Sequence, residues 1–223
     1  MKKIFIVVEG ETEERFVRRV LYPHFILLGT YVEAQQWLTN RKLGCEGGGR
    51  NFDHIQNHIT RLVAKYSHES ETYISTMIDL YGFAKGGNTV YDEDIIKLRN
   101  GIDKAVAIQE KMKDRIASRI FIPYIQLHEY EAMLYSDLQK LSLFYPDKLH
   151  EIEALAIETD SINPEDINET PEGAPSKRIT RHIAAYCKQK TTAGVITAEN
   201  IGLEKIRNSC PHFNDWISRL ESI

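Results

Sequence analysis

The sequence predicts an α/β fold, a mostly parallel central sheet flanked by helices, with a helical extension at its C-terminal end. Three observations carry this. Apolar runs and amphipathic helical stretches alternate from residue 4 to 127. The strand-like runs are continuous rather than alternating, as expected of strands covered on both faces. Beyond Leu141 such runs stop and short helical patterns take over. A chain of 223 residues suits one large domain or one domain with a small appended unit. We place the α/β domain at 1–145 and the helical extension, packed on the same domain, at 146–223, with a loop near 158–175.

Ile4-Phe5-Ile6-Val7-Val8 is the first strand, stopping at Glu9-Gly10. A helix follows, with Thr12 as its cap, Glu13 and Glu14 in its first turn, and Phe16, Val17, Val20 and Leu21 at helical spacing. Pro23 is expected to kink or end it. Residues 31–37 form a second strand, and Phe52, Ile55, Ile59, Leu62, Val63 and Tyr66 make the stripe of a second helix. Residues 73–78 form a third strand closing at Asp79. A long polar helix is expected from Asp92 to about Ala117, its opening acids favouring the helix dipole. Residues 120–127 form a fourth strand running into His128-Glu129-Tyr130-Glu131. Three prolines and many polar residues between 158 and 175 read as loop. Short helices are expected at 177–190, 201–208 and 213–223.

Composition excludes several classes. Three cysteines, Cys45, Cys187 and Cys210, are odd in number and form no CxxC pair, which argues against a disulfide framework and a structural zinc site. The opening apolar run meets Glu9 too soon for a signal peptide or membrane span, so the expectation is a soluble cytoplasmic protein without membrane contact. Net charge is −4, with 28 Lys+Arg against 32 Asp+Glu. A broad basic surface is therefore missing, and any nucleic acid must be held by local basic patches, bound metal or a partner.

The acids fall in a pattern. In open parallel sheets ligands sit beyond the carboxyl ends of the strands. Glu9 follows the first strand, Asp79 the third, and Glu129 with Glu131 the fourth; Glu13 lies one helical turn beyond Glu9. If the strands run parallel, all five carboxylates converge. Two carboxylates about 4 Å apart repel by roughly 4 kcal/mol at an effective dielectric near 20. Either some are protonated or a cation lies between them, and an all-oxygen set selects a hard ion, Mg²⁺ or Mn²⁺. Each acid alone also reads as a helix cap or a partner for arginine.

Other residues are ambiguous. His128 can be a general base, a metal ligand or a hydrogen-bonded structural group. Gly47-Gly48-Gly49-Arg50 precedes a helix but lacks the Lys-Ser/Thr of a P-loop, so a turn is the simpler reading. One Cys–His pair in Cys210-Pro211-His212-Phe213 cannot make a zinc site; Phe213 and Trp216 are expected to pack the last helix onto the domain.

Val8-Glu9-Gly10-Glu11-Thr12-Glu13 resembles the VEGxTE signature that opens Toprim domains of the overcoming-lysogenization-defect (OLD-type) nucleases. Asp79-Leu80-Tyr81-Gly82-Phe83, residues 126–134, Ser176-Lys177-Arg178 and residues 210–213 with Trp216 resemble a narrower bacterial family, a domain of unknown function within the Toprim group whose members often neighbour ATPase genes. The resemblance implies a Toprim-like, Rossmann-like sheet and metal-dependent hydrolysis of nucleic-acid phosphodiesters, with DNA as the substrate. It implies Glu9, Glu13 and Asp79 as metal ligands, Glu129 or Glu131 as a further one, Lys177 as the lysine beside the metals and Arg178 as a phosphate contact. It further implies an AAA- or SMC-type ATPase partner in phage defence or genome maintenance. Tyr81 stands where the second acid of the DxD motif belongs, which favours, as the alternative, a catalytically degenerate module serving an ATPase complex.

Overall fold

The computed structural model describes residues 1–37, 52–80, 83, 85–86, 89–167 and 173–223; for Asp53 and His54 it describes the backbone alone. Cys45, Gly47-Gly48-Gly49-Arg50 and Tyr81 lie outside the described residues. The elements run β1 (Lys2–Val8), α1 (Glu11–Phe16), a π-helical turn (Val17–Leu21), α2 (Tyr22–Leu27), β2 (Thr30–Gln36), α3 (Phe52–Tyr66), β3 (Thr72–Asp79), α4 (Glu93–Ile96) and α5 (Gly101–Ile116). Then come β4 (Phe121–Ile122), β5 (Ile125–Gln126), 3-10 helices at Tyr130–Ser136 and Leu138–Leu143, and α6 (Leu149–Thr159). A 3-10 turn at Pro164–Asp166 leads to α7 (Pro175–His182), α8 (Tyr186–Gln189), a π-helical turn (Lys190–Gly194), α9 (Val195–Ile201), α10 (Leu203–Ser209) and α11 (Pro211–Glu221).

All strand pairings are parallel, in the order β2-β1-β3-β4, with β5 also on β3. The continuous apolar run of β1 is explained by two cores. Ile4, Ile6 and Val8 face one, with α1, the π turn after it and the C-terminal helices; Phe5 and Val7 face the other, with α3 and α5. An apolar side chain is needed on both sides, so no polar alternation survives. The chain leaves β1 for β2 on one flank and returns to β3 on the other, so the order reverses between β1 and β3. That is where a doubly covered sheet leaves a crevice at its carboxyl edge.

Several expected boundaries are corrected. Gly10, not Thr12, is the N-cap of α1, and Glu13 Oε2 accepts from Gly10 N at 3.0 Å. Pro23 does not end the helical stretch; it sits in the first turn of α2, where its missing N–H costs nothing. The helix expected from Asp92 to about Ala117 is two helices. Asp92 caps the first by accepting from Ile95 N, and Asn100 restarts the chain by accepting from Asp103 N at 2.7 Å. The expected fourth strand is split at Pro123, which has no N–H to give the ladder. Thr76 bridges the break: its hydroxyl donates to Tyr124 O at 2.8 Å and accepts from Tyr124 N at 2.9 Å. The helix expected at 177–190 is divided into α7 and α8, the one expected at 201–208 is found as α10 starting at Leu203, and α6 and α9 lie where no helix was expected.

Phe213 and Trp216 do pack the last helix down. Trp216 stacks on Tyr124 with centroids 4.2 Å apart and donates to Ser75 Oγ at 2.9 Å. No helix among the described residues is long and apolar enough to cross a membrane.

Candidate metal centre

The register of β1 and β3 pairs Val8 with Met77, which puts Glu9 just past the tip of β1 and Asp79 at the last position of β3, at the reversal point. Asp79 lies two residues beyond Met77 and therefore on the same face, toward α1 and the C-terminal helices. α1 turns back over this edge, so Glu13 is buried beside it. On the other flank Asp79 pairs with Gln126 of β5. The chain then turns sharply at His128, whose φ of +63° is left-handed, and enters the 3-10 helix with Glu129 at its start.

The acids share one electrostatic environment. Asp79 retains some accessible surface, yet protein surrounds it closely enough that burial holds its carboxyl well above the usual range. The carboxylates of Glu9, Glu13, Glu131 and Glu129, in that order, push it further up. Burial also lifts Glu131, to about 7, with Glu129 and Glu13 adding to the rise and Lys190 opposing it. All five acids singled out in the sequence are thus brought together. Glu129 and Glu131, at the start of the 3-10 helix, both act electrostatically on Asp79.

Their partners differ. Glu129 Oε2 accepts from Ser176 N, in the first turn of α7, at 3.0 Å, the favourable end of the helix for an anion. Glu131 Oε1 accepts from Tyr186 Oη at 3.4 Å and lies 3.7 Å from Lys190 Nζ. Lys190 opens a π-helical turn that closes at Gly194, where a Cβ would stand 2.9 Å from Tyr186 Oη. Glycine lets that turn settle against the tyrosine.

The basic residues expected at the site are placed differently. The Lys177 side chain is exposed, and the lysine against the acids is Lys190. Arg178 donates to Gly173 O and pairs with Glu158 at 2.8 Å. His128 is buried, its Nε2 is 2.8 Å from Glu165 O, and burial lowers its pKa. A nitrogen facing a carbonyl must carry the proton, so Nε2 is a donor in a neutral ring.

As donors, these groups fit a hard cation: all are carboxylate oxygens, with no thiolate among them. Among the described residues, however, no three His, Cys, Asp or Glu side chains stand as a group able to hold a metal ion. Gathering three onto one ion requires side-chain rotation, a common change on binding.

No curated protein matches the chain. A solved structure, the C-terminal region of the OLD protein of Xanthomonas campestris pv. campestris, is 16% identical, with 100% of this chain and 99% of that chain covered. Its TM-score is 0.38, too distant to argue from. The sequence profile of one family matches residues 8–221, and the chain belongs to that family, a domain of unknown function (DUF4276).

Proposed function

We propose that this chain is a Toprim-like, divalent-cation-dependent nuclease of the cytoplasm that hydrolyses DNA phosphodiesters. The observation that carries the reading is the placement of Glu9 and Asp79 at the ends of paired parallel strands, with Glu13 buried beside that edge and the chain entering the helix of Glu129 and Glu131 next to it. Glu9, Glu13 and Asp79 would hold Mg²⁺ or Mn²⁺, and Glu131 or Glu129 would complete the set. When bound, such an ion neutralises charge on a phosphodiester and lowers the pKa of a coordinated water. Lys190 supplies a fixed positive charge beside the acids, suited to charge developing on the phosphoryl oxygens. In the metal-free chain burial lifts Glu131 to about 7, and a cation beside it would favour its ionised form. Ser176 N holds Glu129 in place. With a net charge of −4, the chain suits work beside an ATPase partner in phage defence or genome maintenance.

The test is cleavage of supercoiled DNA and of RNA with Mn²⁺. Wild type is expected to cut, with Glu9→Gln and Asp79→Asn each losing at least about 100-fold. Activity equal to wild type in both variants refutes the assignment. Tyr81 at the second acid position, together with acids that do not stand as a finished ligand group, favours a second reading, a degenerate module serving an ATPase. On that reading purified protein shows neither cleavage nor any response of its melting temperature to Mn²⁺.

A further inference from the structure

A cleft of about 340 Å³ lies between the π-helical turn after α1 and the π-helical turn before α9. Arg15, Arg18 and Arg19 line it together with Thr191, Thr192, Val195 and Ile196. Arg18 and Arg19 come from the first π-helical turn and Thr191 and Thr192 from the second, and such turns are rare and occur often at functional sites. In the first turn Val17, Val20 and Leu21 are buried while Arg18 and Arg19 stay exposed side by side.

Charge decides what the cleft can hold. Arg15 pairs with Glu11, and Arg19 with Glu199 at 3.1 Å, both at the surface. Arg18 makes no ion pair among the described residues. Exposed pairs contribute at most about 1 kcal/mol, so an incoming anion can replace either acid. Guanidinium groups grip phosphate oxygens bidentately, and threonine hydroxyls add donors.

The cleft adjoins the carboxylate pocket. Thr191 follows Lys190, which faces Glu131, and its hydroxyl lies 3.2 Å from that of Thr12, next to Glu13. Glu13 and Arg18 belong to one continuous helical stretch, Glu13 buried at the acids and Arg18 exposed on another face.

We propose that this arginine cleft binds the sugar-phosphate backbone of a polynucleotide beside the carboxylate pocket. The proposal rests on the nuclease reading for its substrate and supplies the local basic patch that a chain of net charge −4 requires.

The test is binding of fluorescent DNA and RNA oligonucleotides to the full chain in EDTA, so that the carboxylate site makes no contribution through metal. Wild type is expected to bind, Arg18→Ala/Arg19→Ala to bind at least ten-fold more weakly, and Arg219→Ala, on α11, to match wild type. The slope of log affinity against log salt should fall in magnitude by about 2 in the double variant. Arg18→Glu alone should weaken binding further than Arg18→Ala, and thermal melts identify any variant that fails to fold. Affinity and salt slope unchanged in the double variant, equal competition by poly-glutamate, or no oligonucleotide binding by wild type would each overturn the cleft. Arginine-dependent binding without Mn²⁺-dependent cleavage sinks the nuclease reading and leaves the cleft standing. Cleavage with an unaltered KM in the double variant does the reverse.

Discussion

Replacing Glu131 by Gln should make the protein more stable at pH 8 and scarcely change it at pH 5. Burial and the neighbouring Glu129 and Glu13 lift this carboxyl from 4.5 to about 7, against the opposing pull of Lys190. A folded-state pKa above the unfolded one means that the group's stabilising contribution is complete below about 4.5. It is lost as pH rises through about 7. Lifting the carboxyl from 4.5 to about 7 costs the ionised protein about 3 kcal/mol. Gln removes that cost and still offers Tyr186 an acceptor, though imperfect hydrogen bonding of the amide takes back about 1 kcal/mol. A net gain of about 2 kcal/mol corresponds to a rise of about 4–8 °C in Tm for a chain of this size. The assay is thermal unfolding in EDTA at both pH values, compared as variant minus wild type. The difference matters because His128 and His212, whose pKa values burial lowers, withdraw stability from both proteins as pH falls below about 6.5. A variant melting at or below wild type at pH 8, or shifted equally at both pH values, would refute the argument that Glu131 bears a penalty.

Mn²⁺ at about 100 times its Kd should stabilise wild type by about 2.7 kcal/mol, and the shift in Tm should vanish in Glu9→Gln and Asp79→Asn; an equal shift in all three would place the ion elsewhere. Lys190→Ala should lower kcat about 100-fold while Lys177→Ala stays near wild type, because only Lys190 faces the acids; steady-state cleavage kinetics decide between them. Trp216→Ala should cost about 3–5 kcal/mol by denaturant titration, since the ring is buried against Tyr124 and its Nε1 donates to buried Ser75.

The sheet was legible because its strands need apolar residues on both faces, and a run such as Ile4 to Val8 has no other economical explanation. The acids were legible for a related reason: a charged residue that ends such a run must sit at the sheet edge. The fourth strand misled because Pro123 lies inside an otherwise apolar stretch, and only the Thr76 hydroxyl, 47 residues earlier in sequence, shows how the break is bridged. Lys190 was illegible. It reaches Glu131 from 59 residues away, out of a π-helical turn with no sequence pattern of its own, whereas Lys177 drew notice only through a motif. The division of the helix expected at 177–190 was obscured for the same reason: continuous helical spacing conceals the extended link that starts at Ile183, with φ of −126° and ψ of 83°.

The carboxylate pocket is assembled by segments far apart in the chain, and that explains how its repulsion is held in place. Glu165 is buried and accepts from His212 N and Phe213 N, each at 2.9 Å, thereby capping α11. The backbone carbonyl of that same residue accepts from His128 Nε2, at the left-handed turn that delivers Glu129 and Glu131. α11 in turn lays Trp216 on Tyr124 and against Ser75 in β3, the strand that ends in Asp79. One buried residue, through its carboxylate on one side and its backbone carbonyl on the other, therefore joins the turn carrying two of the acids to the helix that braces the strand carrying a third. Acids that repel one another stay close only if the backbone bearing each is fixed independently, and Glu165 does this with hydrogen bonds that contact none of them. The helices beyond residue 146 are accordingly part of what holds the pocket shut against its own charge.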